Sequence, residues 1–166
     1  MYQSLLWRRQ MALYVFLTAL MVGADQLIKY WASTELAQVS TLPLINGVFH
    51  LTYVENTGAA FSMLQGRRLF FIAITIVAFG VFVYMFSTGM IKGRLGYYSM
   101  AFIAGGAIGN FIDRLRLGYV VDLFDFRFIN FPVFNFADLC ITIGAILFIL
   151  LAYRDYKEEK SKEARK

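Results

Sequence analysis

Residues Leu69 to Thr88 run for 20 positions without a charged side chain. At about 1.5 Å per helical residue, that length crosses a hydrocarbon core of about 30 Å. A membrane span is therefore fixed before anything else about the chain is known. Composition agrees: 59% of the 166 residues are hydrophobic and 16% charged, more apolar surface than one soluble core of this size buries. The net charge of +5 does not point to nucleic acid, because basic residues in membrane proteins gather beside the spans and no aromatic-basic RNA motif is present. No nucleic-acid partner is expected.

Three more spans follow from the same criterion, over residues 11–31, 97–112 and 133–153, with 69–88 as the second of four. The expected fold is mainly α and integral to the membrane, with one membrane domain over residues 1–166. Trp7, Arg8 and Arg9 before the first apolar run, with Val22-Gly23-Ala24 near its end, also resemble a secretory signal peptide. That reading leaves Asp25 and Lys29 without a purpose, so the first helix is expected to stay. Residues 33–66 are punctuated by Pro43, Asn46, Gly47, Asn56, Gly58 and Gly66, and Val48 to Val54 are β-branched and aromatic, which predicts a small extracytoplasmic hairpin or cradle. Tyr119 to Pro132 alternate charge with aromatics, so residues 113–132 are expected as an interfacial loop or helix, and 154–166 as a charged cytoplasmic tail. Gly105, Gly106 and Gly109 leave one face of the third span bare enough for close helix packing.

Orientation comes from counting basic residues. With the N-terminus inside, Arg8, Arg9, Lys92, Arg94 and six Lys and Arg of the tail are cytoplasmic, against Arg67, Arg68, Arg114, Arg116 and Arg127 outside. Both termini are expected in the cytoplasm, with Arg67 and Arg68 as the exceptions to explain. In that topology Asp25 and Lys29, Asn110, Asp113 and Arg114, Asp122, and Asn135 and Asp138 all fall at the outer ends of spans or in the outer loop. Their spacings of three and four let each helical set share a face. Each group also has a structural reading: an ion pair in span one, an N-cap with an acid at the third helical position, a helix-end pair, interfacial acids such as Asp122 and Asp125. Their convergence on one end argues for a shared cleft.

The chemistry open to such a cleft is narrow. His50 is the only histidine and Cys140, the only cysteine, lies in an apolar run, so neither a Ser-His nor a Cys-His arrangement is available. One histidine without a second ligand makes no metal site, and none is expected. A Ser-Lys pair through Lys29 competes with Asp25 one turn away, which holds the lysine charged. Two acids held together in a partly dry site remain: one keeps its proton while the other acts as base on a water molecule.

Five blocks carry a resemblance. They are Asp25-Gln26-Leu27-Ile28-Lys29; Asn56-Thr57-Gly58-Ala59-Ala60-Phe61-Ser62; Gly105 through Arg114; Val120-Val121-Asp122; and Phe134-Asn135-Phe136-Ala137-Asp138. In that order on four spans, they resemble the prolipoprotein signal peptidases, the type II signal peptidases of bacteria, over nearly the whole chain. Ile28, where the family often has a small hydroxyl residue, and Leu123, where it often has Phe, are mild departures that leave the acids untouched.

The resemblance implies an aspartic endopeptidase of the inner membrane with Asp122 and Asp138 as its catalytic pair. Asn56, Gly58, Asn110, Arg114 and Asn135 would bind substrate, and Asp25, Lys29 and Asp113 would support the site. The implied substrate is a prolipoprotein whose cysteine carries diacylglyceryl, cut before that cysteine at the outer face, with no cofactor and with the enzyme as a monomer among membrane lipids. Two readings of other classes compete. A small proton-coupled transporter would use these acids as relays but needs them near the midplane, and an assembly subunit would offer the Gly105-to-Gly109 face to a partner helix.

Overall fold

The computed structural model of the protein describes residues 2–58 and 63–164, and side-chain surroundings from residue 11 onward. The side chains of Trp7, Arg8 and Arg9, the Ala59 to Ser62 part of the second block, and Arg165 and Lys166 lie outside the described residues. Helix α1 (Tyr2–Trp31) runs unbroken through Val22-Gly23-Ala24 and continues into a π-helical turn (Ala32–Leu36) and a short α2 (Ala37–Val39). Strands β1 (Thr41–Ile45) and β2 (Phe49–Asn56) follow, then α3 (Arg68–Ser87), α4 (Gly93–Arg116), β3 (Val120–Phe126) and α5 (Phe136–Glu163). Four stretches, Met11–Val39, Arg68–Ser87, Gly93–Arg116 and Phe136–Glu163, are long and apolar enough to cross a membrane. The chain is a multi-pass membrane protein. Its helices overshoot the expected spans: α4 carries Asp113 and Arg114 within it, and α5 carries the tail on as helix.

The four helices are not packed alike. Helix α4 lies between α1 and α5, and α3 packs chiefly on α4. Glycines make the close approaches. A Cβ on Gly105 would stand 3.0 Å from Met21 Cβ of α1, one on Gly144 of α5 would stand 2.6 Å from Ile103 Cγ1, and one on Gly106 would run into the Ala137 carbonyl oxygen. The bare face expected on α4 is thus shared, Gly105 meeting α1 and Gly106 meeting α5. Ser99 Oγ closes the α4–α5 seam by donating to Gly144 O at 2.8 Å. Tyr14, Met21, Ala101 and Cys140 form the core between these helices, with Cys140 as a small buried residue. Among the described residues of α3 none is buried, and Leu69, Ile74, Ile76, Val77 and Val83 are exposed, as lipid-facing side chains should be.

The hairpin expected outside the membrane core is part of a three-stranded antiparallel sheet ordered β1-β2-β3. Gly47, at φ +70, supplies the turn between β1 and β2. In place of the interfacial loop or helix expected over residues 113–132, the chain forms β3, because its alternating residues pair with β2: Val54 faces Asp122 and Asn56 faces Val120. A second cluster, Ala32, Leu36, Val121 and Leu123, seals the sheet onto the end of α1. After β3 the chain turns back, and Phe134 bridges to Phe124 immediately before α5 begins.

Candidate active site

Asn135 is the junction of the site. It takes extended backbone as the N-cap of α5, where its Oδ1 accepts the Asp138 N–H at 2.9 Å and its own N–H donates to Asp138 Oδ2 at 3.3 Å. Its Nδ2 donates to Asp122 Oδ1 at 2.6 Å and to Asn110 Oδ1 at 3.2 Å. One wholly buried residue therefore meets both acids, the Asp122 carboxylate on a strand through its side chain and the Asp138 carboxylate on a helix through its backbone N–H. The bridge beside it explains the meeting: Leu123 and Phe124 N–H groups both donate to Phe134 O, at 3.0 and 2.8 Å, which pins the start of α5 against β3.

The remaining oxygens of the two acids also face amides. Asp122 Oδ2 accepts from Asn56 Nδ2 at 2.8 Å, and Asn56 Oδ1 in turn accepts the Gly58 N–H at 2.9 Å. Asp138 Oδ1 accepts from Asn110 Nδ2 at 2.8 Å. Among the described residues neither acid has an ion-pair partner. Arg114 stands beside them, its guanidinium donating to Gly58 O and Asn110 O, each at 3.4 Å, and lying 4.7 Å over the Phe71 ring of α3. Burial first, and then the charge of Asp138, push the Asp122 carboxyl up to about 7, against the lowering effect of its amide donors. Asn56, Gly58, Asn110, Arg114, Asp122 and Asp138 line a common cavity of about 220 Å³. A polar cavity of about 380 Å³ reaches Asp122 past Thr57, Gln65 and Asn130, and an apolar one of about 310 Å³ reaches Asp138 past Phe126, Ile129, Phe134 and Leu139.

Behind the cavity lies a buried ion cluster. Lys29 Nζ stands 3.0 Å from Asp25 Oδ2 and 2.9 Å from Asp113 Oδ2, with each of the three side chains no more than 3% exposed. Its third direction goes to Asn110 Oδ1, at 2.8 Å. All ten residues singled out from the sequence thus gather at one end of the helices. Asn135 sits behind the cavity wall and spends its amide on protein partners. The structure adds two members to the site. Gln26 Nε2 donates to Asp25 Oδ2 at 3.2 Å and Asp113 Oδ1 at 3.0 Å, and its place inside the first block was the available signal. Phe71 lies in the long apolar run of α3, where nothing marks it. His50 belongs to the hairpin, where its Nε2 accepts the Gly47 N–H at 3.3 Å, and Asp125 pairs with Arg127 at 2.8 Å; neither reaches the cavity. Among the described residues no cluster of side chains has the makings of a metal site.

Fold and site together define a multi-pass membrane protein with two carboxylates converging in a cavity at one end of its helices. Residues 17–154 match the family model of signal peptidase (SPase) II. The chain is similar to the lipoprotein signal peptidase of Clostridioides difficile, with 47% identity over 90% of this chain and 99% of the relative. To that of Caldanaerobacter subterraneus the identity is 52%, over 80% and 90%. A solved bacterial membrane enzyme superposes with a TM-score of 0.83 at 32% identity, covering 89% of this chain and 91% of the other. The chain belongs to the signal peptidase II family. The transporter reading has no support from these comparisons, and of the two acids that line the cavity Asp138 stands in the first turn of α5 and Asp122 on β3.

Proposed function

We propose that this protein is an aspartic endopeptidase that removes the signal peptide from prolipoproteins, cutting before a cysteine that carries diacylglyceryl. The observation that carries the reading is the buried Asn135, which donates its side-chain N–H to the Asp122 carboxylate and its backbone N–H to the Asp138 carboxylate. Asp122, with its carboxyl pushed up to about 7, is the member that keeps the shared proton at neutral pH. Asp138 stands in the first turn of α5, whose N-terminal dipole favours an anion, and takes the part of the base.

In the reaction Asp138 takes a proton from a water molecule, whose oxygen bonds to the scissile carbonyl carbon, while Asp122 gives its proton to the carbonyl oxygen. The tetrahedral intermediate then collapses: the C–N bond breaks, Asp138 delivers its proton to the leaving nitrogen, and Asp122 recovers its own from the hydroxyl. Arg114, Asn56 and Gly58 hold the substrate backbone, and Asn110 and Asn135 hold the acids. Asp25, Lys29 and Asp113 support the site from behind. The apolar cavity beside Asp138 gives the lipid chains an approach from the bilayer, and the polar one beside Asp122 gives water and the mature chain theirs. Both termini are cytoplasmic and the site faces outward. Arg68, an exception in the charge count, serves this arrangement by donating to Leu115 O, at 2.8 Å, at the carbonyl end of α4. The enzyme acts as a monomer, since both acids and the described residues that line their cavity come from one chain.

The test is to incubate purified enzyme in detergent with a lipidated precursor and an unlipidated one. A shortened product from the lipidated form alone is the expected result, and turnover that survives Asp122→Asn or Asp138→Asn would sink the aspartic mechanism.

A further inference from the structure

The ion cluster behind the cavity has two connections that an ion pair serving only to hold charge in α1 would not need. Asp25 Oδ1 accepts the N–H of Ala137 at 2.9 Å, which is the peptide immediately before Asp138. Asp113 Oδ2 accepts the N–H of Val121 at 3.2 Å, which is the peptide immediately before Asp122. One ammonium, Lys29, draws the two gripping carboxylates together, 3.0 and 2.9 Å from its Nζ. Its last N–H goes to Asn110 Oδ1, and because lysine has no acceptor it dictates which end of that amide turns toward it. The other end, Nδ2, is left to donate to Asp138 Oδ1. Gln26 ties the two gripping acids from the side. With every ionised group in the cluster no more than 3% exposed, water screens these contacts little and the assembly is stiff.

We infer that Asp25, Lys29 and Asp113 act as one positioning device that sets the separation of the Asp122 and Asp138 carboxylates. The inference rests on the proposed role of those two acids, and deepens it by naming what holds them at working distance. Support for the fold and control of the spacing make different demands. A brace changes how much protein folds. A spacer changes turnover per folded molecule, and it changes the pH dependence too, because the coupling of two carboxylates depends on how far apart they stand.

Asp113→Asn is the informative variant. It leaves Lys29 paired one to one with Asp25, so no buried charge is abandoned, while the charged grip on Val121 is lost. The expected result with the lipidated precursor is a fall in kcat of about 10- to 100-fold per folded molecule, the scale of a misplacement of about 1 Å. KM should stay within about twofold, and the acidic limb of the kcat profile should move by half a pH unit or more. Asp25→Asn, which releases the other grip, should do likewise, and the double variant should lose no more than the worse single. If Asp113→Asn does not insert, the same readouts on Asp25→Asn decide. A folded variant with wild-type kcat and an unmoved pH profile overturns the inference, as does a change confined to KM. Wild-type enzyme, Asp122→Asn and Asp138→Asn run alongside: if the wild type releases nothing, or either of these turns over, the catalytic reading itself has failed.

Discussion

The four acids of the cavity and of the ion cluster behind it fall in two pairs with opposite surroundings. Asp25 and Asp113 share the ammonium of Lys29 and also accept backbone N–H groups. Asp122 and Asp138 accept only amide N–H groups, from Asn56, Asn110 and Asn135. The difference separates support from chemistry. The first pair spends its charge on a cation inside the protein, whereas the second is held by neutral donors and lines the cavity, where water and substrate can reach it. Removing the second pair should therefore stop the reaction, and removing the shared cation should undo the fold.

The largest effect is expected at the chemical pair. Asp122→Asn and Asp138→Asn should each lower peptide release by about 10³-fold or more, as removal of a positioned acid or base does. Both proteins should insert and show a cooperative thermal transition. A residual rate within tenfold of wild type in either would erase the distinction between the pairs. Next comes Lys29→Met, which strands two buried carboxylates and should cost roughly 3–5 kcal/mol of stability. It is read as a large drop in thermal midpoint, and a midpoint equal to that of the wild type would mean that the cluster is solvated.

Much of this arrangement was legible in the sequence wherever the relation was local. The charge-free run of α3 declared itself by length, and Asp25 with Lys29, or Asn135 with Asp138, by spacings that a helix turns into neighbours. The β3 strand was not legible, because its partner β2 lies beyond a whole transmembrane helix in the chain, and charge alternating with aromatics fits an interfacial loop equally well. For the same reason nothing local told Asp113 from Asp122 or Asp138. Which acids hold a cation depends on where α1 stops against α4, and that is decided by the bare faces of Gly105 and Gly109. The five blocks brought the ten residues into view and, through the family they resemble, implied their division into two kinds; the packing supplies its physical basis in the ammonium that Asp25 and Asp113 share.

The same comparison has a pH signature. An unfolded aspartate titrates near 3.9, whereas folded Asp122 titrates at about 7. Between those values the folded protein binds the additional proton, so stability falls as pH rises through that window and is level above it. Asp122→Asn removes this dependence. Relative to wild type it should gain about 2–4 kcal/mol between pH 4 and pH 8, whatever constant offset its altered hydrogen bonds introduce. Thermal midpoints across that range measure the slope. Parallel curves for the two proteins would place Asp122 among the acids that stay charged.

The smallest effect discriminates most finely, because it moves the chemical pair without touching an ionisable group. A Cβ on Gly106 would collide with the Ala137 carbonyl oxygen and stand 2.8 Å from Ile141 Cγ1. Ile141 can rotate away. The Ala137 peptide cannot, since its N–H is held by Asp25 and its neighbour is Asp138. Gly106→Ala must therefore push α5 from α4, at a cost of about 1–3 kcal/mol, and carry Asp138 away from Asp122 as it does so. Gly23→Ala on α1, with nothing within 4 Å of the added carbon, is the matched control and should leave turnover unchanged. If Gly106→Ala lowers the thermal midpoint while kcat per folded molecule stays at the control's value, the spacing of the acids tolerates helix displacement, and the two pairs are less tightly joined than their hydrogen bonds require.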